Sequence, residues 1–131
     1  MSQAKYQGLR IMFVDDEPDI TDLFKLGLEG KGFRVDAFND PTRALAEFKP
    51  KSYDLVISDI NMPKMNGLEL AFEIKKLDPV QRIVFLTAFM DLYTELRKLF
   101  QRMDVIDVIQ KPVGIRELAD RIVELETKSQ K

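Results

Sequence analysis

Three aspartates, a threonine and a lysine are the side chains in this 131-residue chain best placed to do chemistry together. Asp15 and Asp16 close an apolar run in "FVDDE", Asp59 closes another in "LVISD", Thr87 a third in "FLTA" and Lys111 a fourth in "IQKP". The chain has no histidine and no cysteine. That removes the commonest general base, the thiolate nucleophile, disulfides and the usual zinc ligands. Oxygen ligands remain, and they suit Mg²⁺, Mn²⁺ or Ca²⁺ rather than zinc or copper.

Carboxylates that converge raise one another's pKa and destabilise the fold unless a cation neutralises them. With a hard divalent ion beside it, Asp59 could attack phosphorus and become an aspartyl phosphate, a step governed by positioning and charge neutralisation. Lys111 would add positive charge, and the Thr87 hydroxyl could donate to a phosphoryl oxygen. Asp16 and Asp59 are the first choice of metal ligands, with the backbone carbonyl of Asn61 reaching round from the loop and Asp15 acting directly or through water. Each residue alone has a duller reading: "DDEPD" as an acidic cap for the next helix, Asp59 as a turn residue, Thr87 bonded to backbone, Lys111 as a solvated charge. Their conjunction at the same end of four separate segments points to chemistry.

Those segments are strands. "LRIMFV" (9–14), "RVDAF" (34–38), "DLVIS" (54–58), "RIVFLT" (82–87) and "VIDVIQ" (105–110) are short and rich in Val, Ile and Phe. Helical periods lie between and after them: Ile20, Leu23, Phe24 and Leu28; then Ala44, Leu45 and Phe48, opened by Asp40 as N-cap and Pro41 at the first helical position. Leu70, Ile74 and Leu77 follow, then Leu92, Leu96, Leu99 and Met103, and finally Ile115, Leu118, Ile122 and Leu125. Alternation of this kind predicts an α/β, doubly wound, five-stranded parallel sheet of flavodoxin-like (βα)5 type in the order 2-1-3-4-5. Strands one and three then adjoin at the switch point, where ligands bind outside the strands' carboxyl ends.

Bulk properties add little. Hydrophobic residues at 45%, charged residues at 32% and a net charge of −2 give no reason to expect nucleic acid or an anionic membrane. No apolar run approaches the roughly 20 residues of a membrane span, and the amino terminus lacks a signal peptide's apolar core. The expectation is one cytoplasmic domain over residues 1–126 with a frayed polar tail at 127–131.

From "IMFVDDE" through "LVISDINMPKMNGLEL" and "FLTA" to "IQKP", the chain resembles the CheY-like receiver domain of two-component response regulators. The resemblance implies Asp59 as phospho-acceptor, Asp15 and Asp16 as the acidic pair for Mg²⁺, Asn61 as carbonyl ligand, Thr87 as switch hydroxyl and Lys111 as the phosphate-pairing lysine. It implies a cis bond before Pro112 and a loop built on Pro63 and Gly67. A partner histidine kinase, a phosphotransfer protein or a small acyl phosphate would be the donor. A downstream protein would read the fourth helix, fifth strand and fifth helix. Such a domain is not classed as an enzyme.

Three departures stand out. Val108 occupies the fifth-strand position where the family usually has an aromatic ring. "MDLYTELRKLFQRMDVID" lacks the usual glycine before the fifth strand, which predicts a longer or shifted fourth helix with Tyr93 and Phe100 partly exposed, as extra core or as a partner patch. Phe89, two residues beyond Thr87, implies a slowly hydrolysed phosphate. Two rivals are an interaction module that is never phosphorylated and a haloacid dehalogenase-like phosphatase; the latter needs an aspartate where this chain has Asn61. The chain reads as a stand-alone regulator or an excised receiver.

Overall fold

The computed structural model describes residues 7–89, 98 and 100–129. Five strands, β1 (Arg10–Val14), β2 (Arg34–Phe38), β3 (Leu55–Asp59), β4 (Ile83–Thr87) and β5 (Asp107–Gln110), alternate with helices α1 (Pro18–Gly30), α2 (Pro41–Glu47) and α3 (Gly67–Leu77). A C-terminal helix, Ile115–Ser129, closes the chain. All strand pairs are parallel, in the order β2-β1-β3-β4-β5. This is the doubly wound architecture expected from the alternation.

Period-two patterning divides the core between the two faces of the sheet. Ile11, Phe13, Leu55, Ile57, Val84 and Leu86 face one way, against Phe24 and Leu28 of α1 and Leu118 and Ile122 of the C-terminal helix. Met12, Val14, Val56, Ile83 and Phe85 face the other, against Ala44 of α2 and Leu70 and Ile74 of α3. Both faces of β1, β3 and β4 are covered, so their sequences run apolar without alternation.

The same periodicity orients the site. Asp15 continues the 11, 13 series and Asp59 the 55, 57 series, and Ile11 pairs with Leu55 and Phe13 with Ile57. One further step brings Asp15 opposite Asp59 on one face, at the carboxyl edge. Lys111 follows Ile109, which packs on that face too, whereas Thr87 shares the parity of Phe85.

Several expectations need correction. Leu23 is 52% exposed and Thr21 is buried in its place, because the α1 face phases on residues 21, 24 and 28. Leu77 is 50% exposed, and Ala71 completes the α3 stripe. Strand β5 begins at Asp107, later than the apolar run, and the C-terminal helix continues through the polar residues to Ser129 with Thr127 Oγ1 donating to the Val123 carbonyl. Phe100 is buried, its ring 5.4 Å from that of Phe85, which itself pairs with Val108. Aromatic volume beside β5 is thus supplied from the preceding segment. The missing glycine is replaced by Asp104 at φ 55, with Asp104 N–H donating to Gln101 and Val105 N–H to Phe100 as in a Schellman helix end. Leu92, Tyr93, Leu96 and Leu99 lie outside the described residues.

Candidate functional site

Asp15 is fully buried, and both of its carboxylate oxygens are engaged. Oδ1 accepts from the Glu17 backbone N–H at 3.0 Å, and Oδ2 accepts from Lys111 Nζ at 3.0 Å. Lys111 Nζ also donates to Asp59 Oδ2 at 3.3 Å. Carboxylate oxygens of Asp15, Asp16 and Asp59 come within 4.8 Å of one another, and Asp16 is the most open of the three. One ammonium cannot neutralise three carboxylates, so this donor set fits a hard divalent ion.

Electrostatics point the same way. Burial raises the Asp59 pKa above the usual carboxylate range, and nearby Asp15 raises it further; the Lys111 charge and the Asn61 backbone N–H oppose without cancelling. Burial lowers the Lys111 pKa, yet hydrogen bonding to Asp15 and the charges of Asp59 and Asp15 outweigh it, so the net shift is upward. A carboxyl whose folded pKa exceeds its unfolded value favours the fold at low pH and loses that contribution as pH rises through the folded pKa. In metal-free protein, Asp59→Asn is therefore expected to raise Tm at pH 7. That gain should vanish below about pH 4, where the carboxyl is protonated in both states. Thermal melts of both proteins at the two pH values check this.

The loop after β3 packs closely against Asp59. Gly67 N–H donates to the Ile60 carbonyl at 2.8 Å, and a Cβ on Gly67 would lie 2.2 Å from the Asp59 carbonyl oxygen. Asn66 and Glu69 form a capping box that starts α3, with the Glu69 N–H donating to Asn66 Oδ1 at 2.9 Å and the Asn66 N–H to Glu69 Oε1 at 3.0 Å. Before the capping box, Lys64 adopts φ 71, with Met65 N–H donating to the Pro63 carbonyl at 2.7 Å. Asn61 is exposed on this loop.

On the other flank, Thr87 is buried and its Oγ1 accepts from the Phe89 N–H at 3.0 Å. Lys111 N–H donates to the Thr87 carbonyl at 2.7 Å, and the bond to Pro112 is cis. Phe89 is 59% exposed. Asp40 stays out of the cluster, capping α2 through Thr42 N–H at 3.0 Å and pairing with Lys64 at 3.5 Å. Sequence reasoning missed the Asp15–Lys111 pairing, which joins residues 96 positions apart; no local pattern signals it.

A family model for the response regulator receiver domain matches residues 11–123. The chain belongs to that family. The receiver domain is 31% identical over 120 residues to the transcriptional regulatory protein TrcR of Mycobacterium tuberculosis, a match covering 92% of this chain and 46% of that protein. It thus spans about half the length of that curated relative. Among solved structures, a CheY-like receiver domain protein from Methanospirillum hungatei superposes with a TM-score of 0.83 at 30% identity, covering 95% of this chain and 98% of that one. TrrA from Thermotoga maritima, in complex with Mg(2+)-BeF, gives a TM-score of 0.72 at 36% identity, covering 88% and 97%. No helix among the described residues of the receiver domain is long and apolar enough to cross a membrane.

Proposed function

We propose that this receiver domain is a phospho-accepting switch in which Asp59 takes a phosphoryl group from a partner histidine kinase, a phosphotransfer protein or a small acyl phosphate. The reading is carried by the meeting of three carboxylates, two just beyond β1 and one at the last residue of β3, with the Lys111 ammonium at one strand edge. An Asp59 carboxylate oxygen forms the new bond to phosphorus as the donor's P–N or P–O bond breaks, releasing neutral imidazole or a carboxylate.

Asp16, Asp59 and the Asn61 backbone carbonyl would hold Mg²⁺, or Mn²⁺ in its place, with Asp15 acting directly or through water; engagement of both Asp15 oxygens favours the water-mediated role. When bound, the ion supplies charge neutralisation for the acidic cluster and the transferring group. Lys111 pairs with a phosphoryl oxygen, and the Thr87 hydroxyl, which accepts from Phe89 N–H, keeps its own proton to donate. The phosphoryl group carries about −1.5 to −2 charges where the Asp59 carboxylate carried one, and its oxygens then draw Thr87 and Lys111 towards Asp59. A downstream protein reads the resulting change on the segment before β5, on β5 and on the C-terminal helix, through its differential contacts with the two states.

The deciding measurement is Mg²⁺-dependent phosphoryl incorporation from acetyl phosphate. Stable uptake supports the switch, no uptake makes the domain a pure interaction module, and sustained turnover of unrelated phosphate esters makes it a phosphatase. Asn61 in place of a second aspartate disfavours the last outcome.

Mg²⁺ itself should raise Tm, since an ion that binds only the folded state stabilises it by mass action. At a concentration about tenfold above Kd the gain is about 1.4 kcal/mol, and Asp16→Asn should remove it in the same melts. Phe89→Glu should speed loss of the aspartyl phosphate by about tenfold, a change of about 1.4 kcal/mol in the barrier, because a bulky apolar ring obstructs the attacking water. A single-turnover decay unchanged by the substitution would refute that role.

A further inference from the structure

The outer side of α3 is not an ordinary solvated helix face. Phe72, midway along it, is 55% exposed. Met65 and Met103 join it around an open cavity of about 440 Å³, whose acidic lining is Glu69 and Glu73. A second cavity of about 450 Å³ shares Phe72 and Met103 and carries Lys76 and Arg102; Asp104 there pairs with Lys75 at 4.0 Å. Acid therefore lies at one end of an apolar centre and base at the other.

We propose that this face pairs with the α3 of a second copy of the chain, antiparallel about a two-fold axis at Phe72. Glu69 stands three residues before Phe72 and Lys76 four after, a spacing that puts all three on one helical stripe. In an antiparallel pair, each copy's Glu69 meets the other's Lys76 while the two Phe72 rings pack together and leave water. A uniformly acidic or basic partner would be repelled at one end of this face, whereas a two-fold copy is matched at both. Within one copy, Lys76 lies 3.1 Å from Glu73 and 4.9 Å over the Phe72 ring; these are solvent-exposed contacts that exchange readily.

Helix α3 has 11 residues, about 16 Å of contact length, so the dimer is weak, with Kd between about 10 μM and 1 mM. Sedimentation equilibrium of the whole chain across that range should show a reversible monomer–dimer equilibrium. Phe72→Glu should weaken it at least about tenfold. Glu69→Lys and Lys76→Glu each leave the two positions that meet across the axis, 69 and 76, with one sign of charge; each should be monomeric alone, and the two should dimerise when mixed. Glu69 also closes the capping box, so circular dichroism melts verify folding of each variant, and Phe72→Glu with Lys76→Glu suffice if Glu69→Lys is unfolded. A wild-type chain that stays monomeric throughout, a Phe72→Glu variant that dimerises like wild type, or folded charge variants that stay monomeric when mixed would each overturn the pairing.

Discussion

Asp59→Asn is expected to abolish phosphoryl uptake from acetyl phosphate in the presence of Mg²⁺, by at least about 10³-fold relative to wild type. An amide is nearly isosteric with the carboxylate, but it lacks the negative oxygen that attacks phosphorus. Neighbouring carboxylates are poor substitutes: Asp15 is fully buried and its two oxygens are held by Glu17 N–H and Lys111 Nζ, while Asp16 lies on the loop beyond β1. The same substitution is expected to stabilise the metal-free fold, because it removes a buried carboxylate whose pKa burial and Asp15 raise. Loss of uptake together with a higher Tm separates lost chemistry from lost structure. Phosphate incorporation followed by intact-protein mass spectrometry gives the first quantity and thermal melts the second. Uptake by the variant at the wild-type level would remove Asp59 from the mechanism.

Gly67→Ala is expected to cost about 3 kcal/mol, at the upper end for forcing an atom into a packed site, and to lower Tm by about 10 °C. The added Cβ would stand 2.2 Å from the Asp59 carbonyl oxygen and 2.9 Å from the Ile60 Cα, and neither is the far end of a flexible side chain that could swing away. Relief requires α3 to withdraw from the end of β3, which breaks the Gly67 N–H to Ile60 carbonyl bond and moves the backbone that carries Asp59. Phosphoryl uptake should therefore fall as well. Gly30→Ala is the control: nothing lies within 4 Å of its Cβ position, so the change should stay within about 0.5 kcal/mol. Equal melting temperatures for Gly67→Ala and Gly30→Ala would show that the approach of α3 to β3 is not tight.

Together the two variants distinguish chemistry from scaffolding at one position of the sheet. Asp59 supplies the nucleophile at the final residue of β3, and Gly67 lets the following helix begin close enough to hold that residue still. The intervening loop is short and internally bonded, through the capping box and the turn at Lys64. The supporting residue Gly67 has no side chain because any Cβ there would meet the Asp59 carbonyl oxygen.

The amino-acid sequence by itself determined the strand–helix alternation, the parallel sheet and the edge at which Asp15, Asp16, Asp59, Thr87 and Lys111 collect. Those features are local or periodic: apolar runs mark strands, Asp40 and Pro41 mark a helix start, and alternation along each strand decides which face a residue occupies. Only the tertiary structure decided the rest. It chose Thr21 over Leu23 and Ala71 over Leu77 for the buried helix stripes, because the rotation of a helix about its own axis, fixed by what it packs against, sets which residues face the sheet. It turned Phe100 into the core beside Phe85 and let Asp104 take the left-handed helix end in a segment that lacks the family's usual glycine. It also joined Lys111 to Asp15 across 96 residues. Such contacts depend on how separate segments meet in space, and a linear pattern carries no record of distances between residues that are neighbours only after folding.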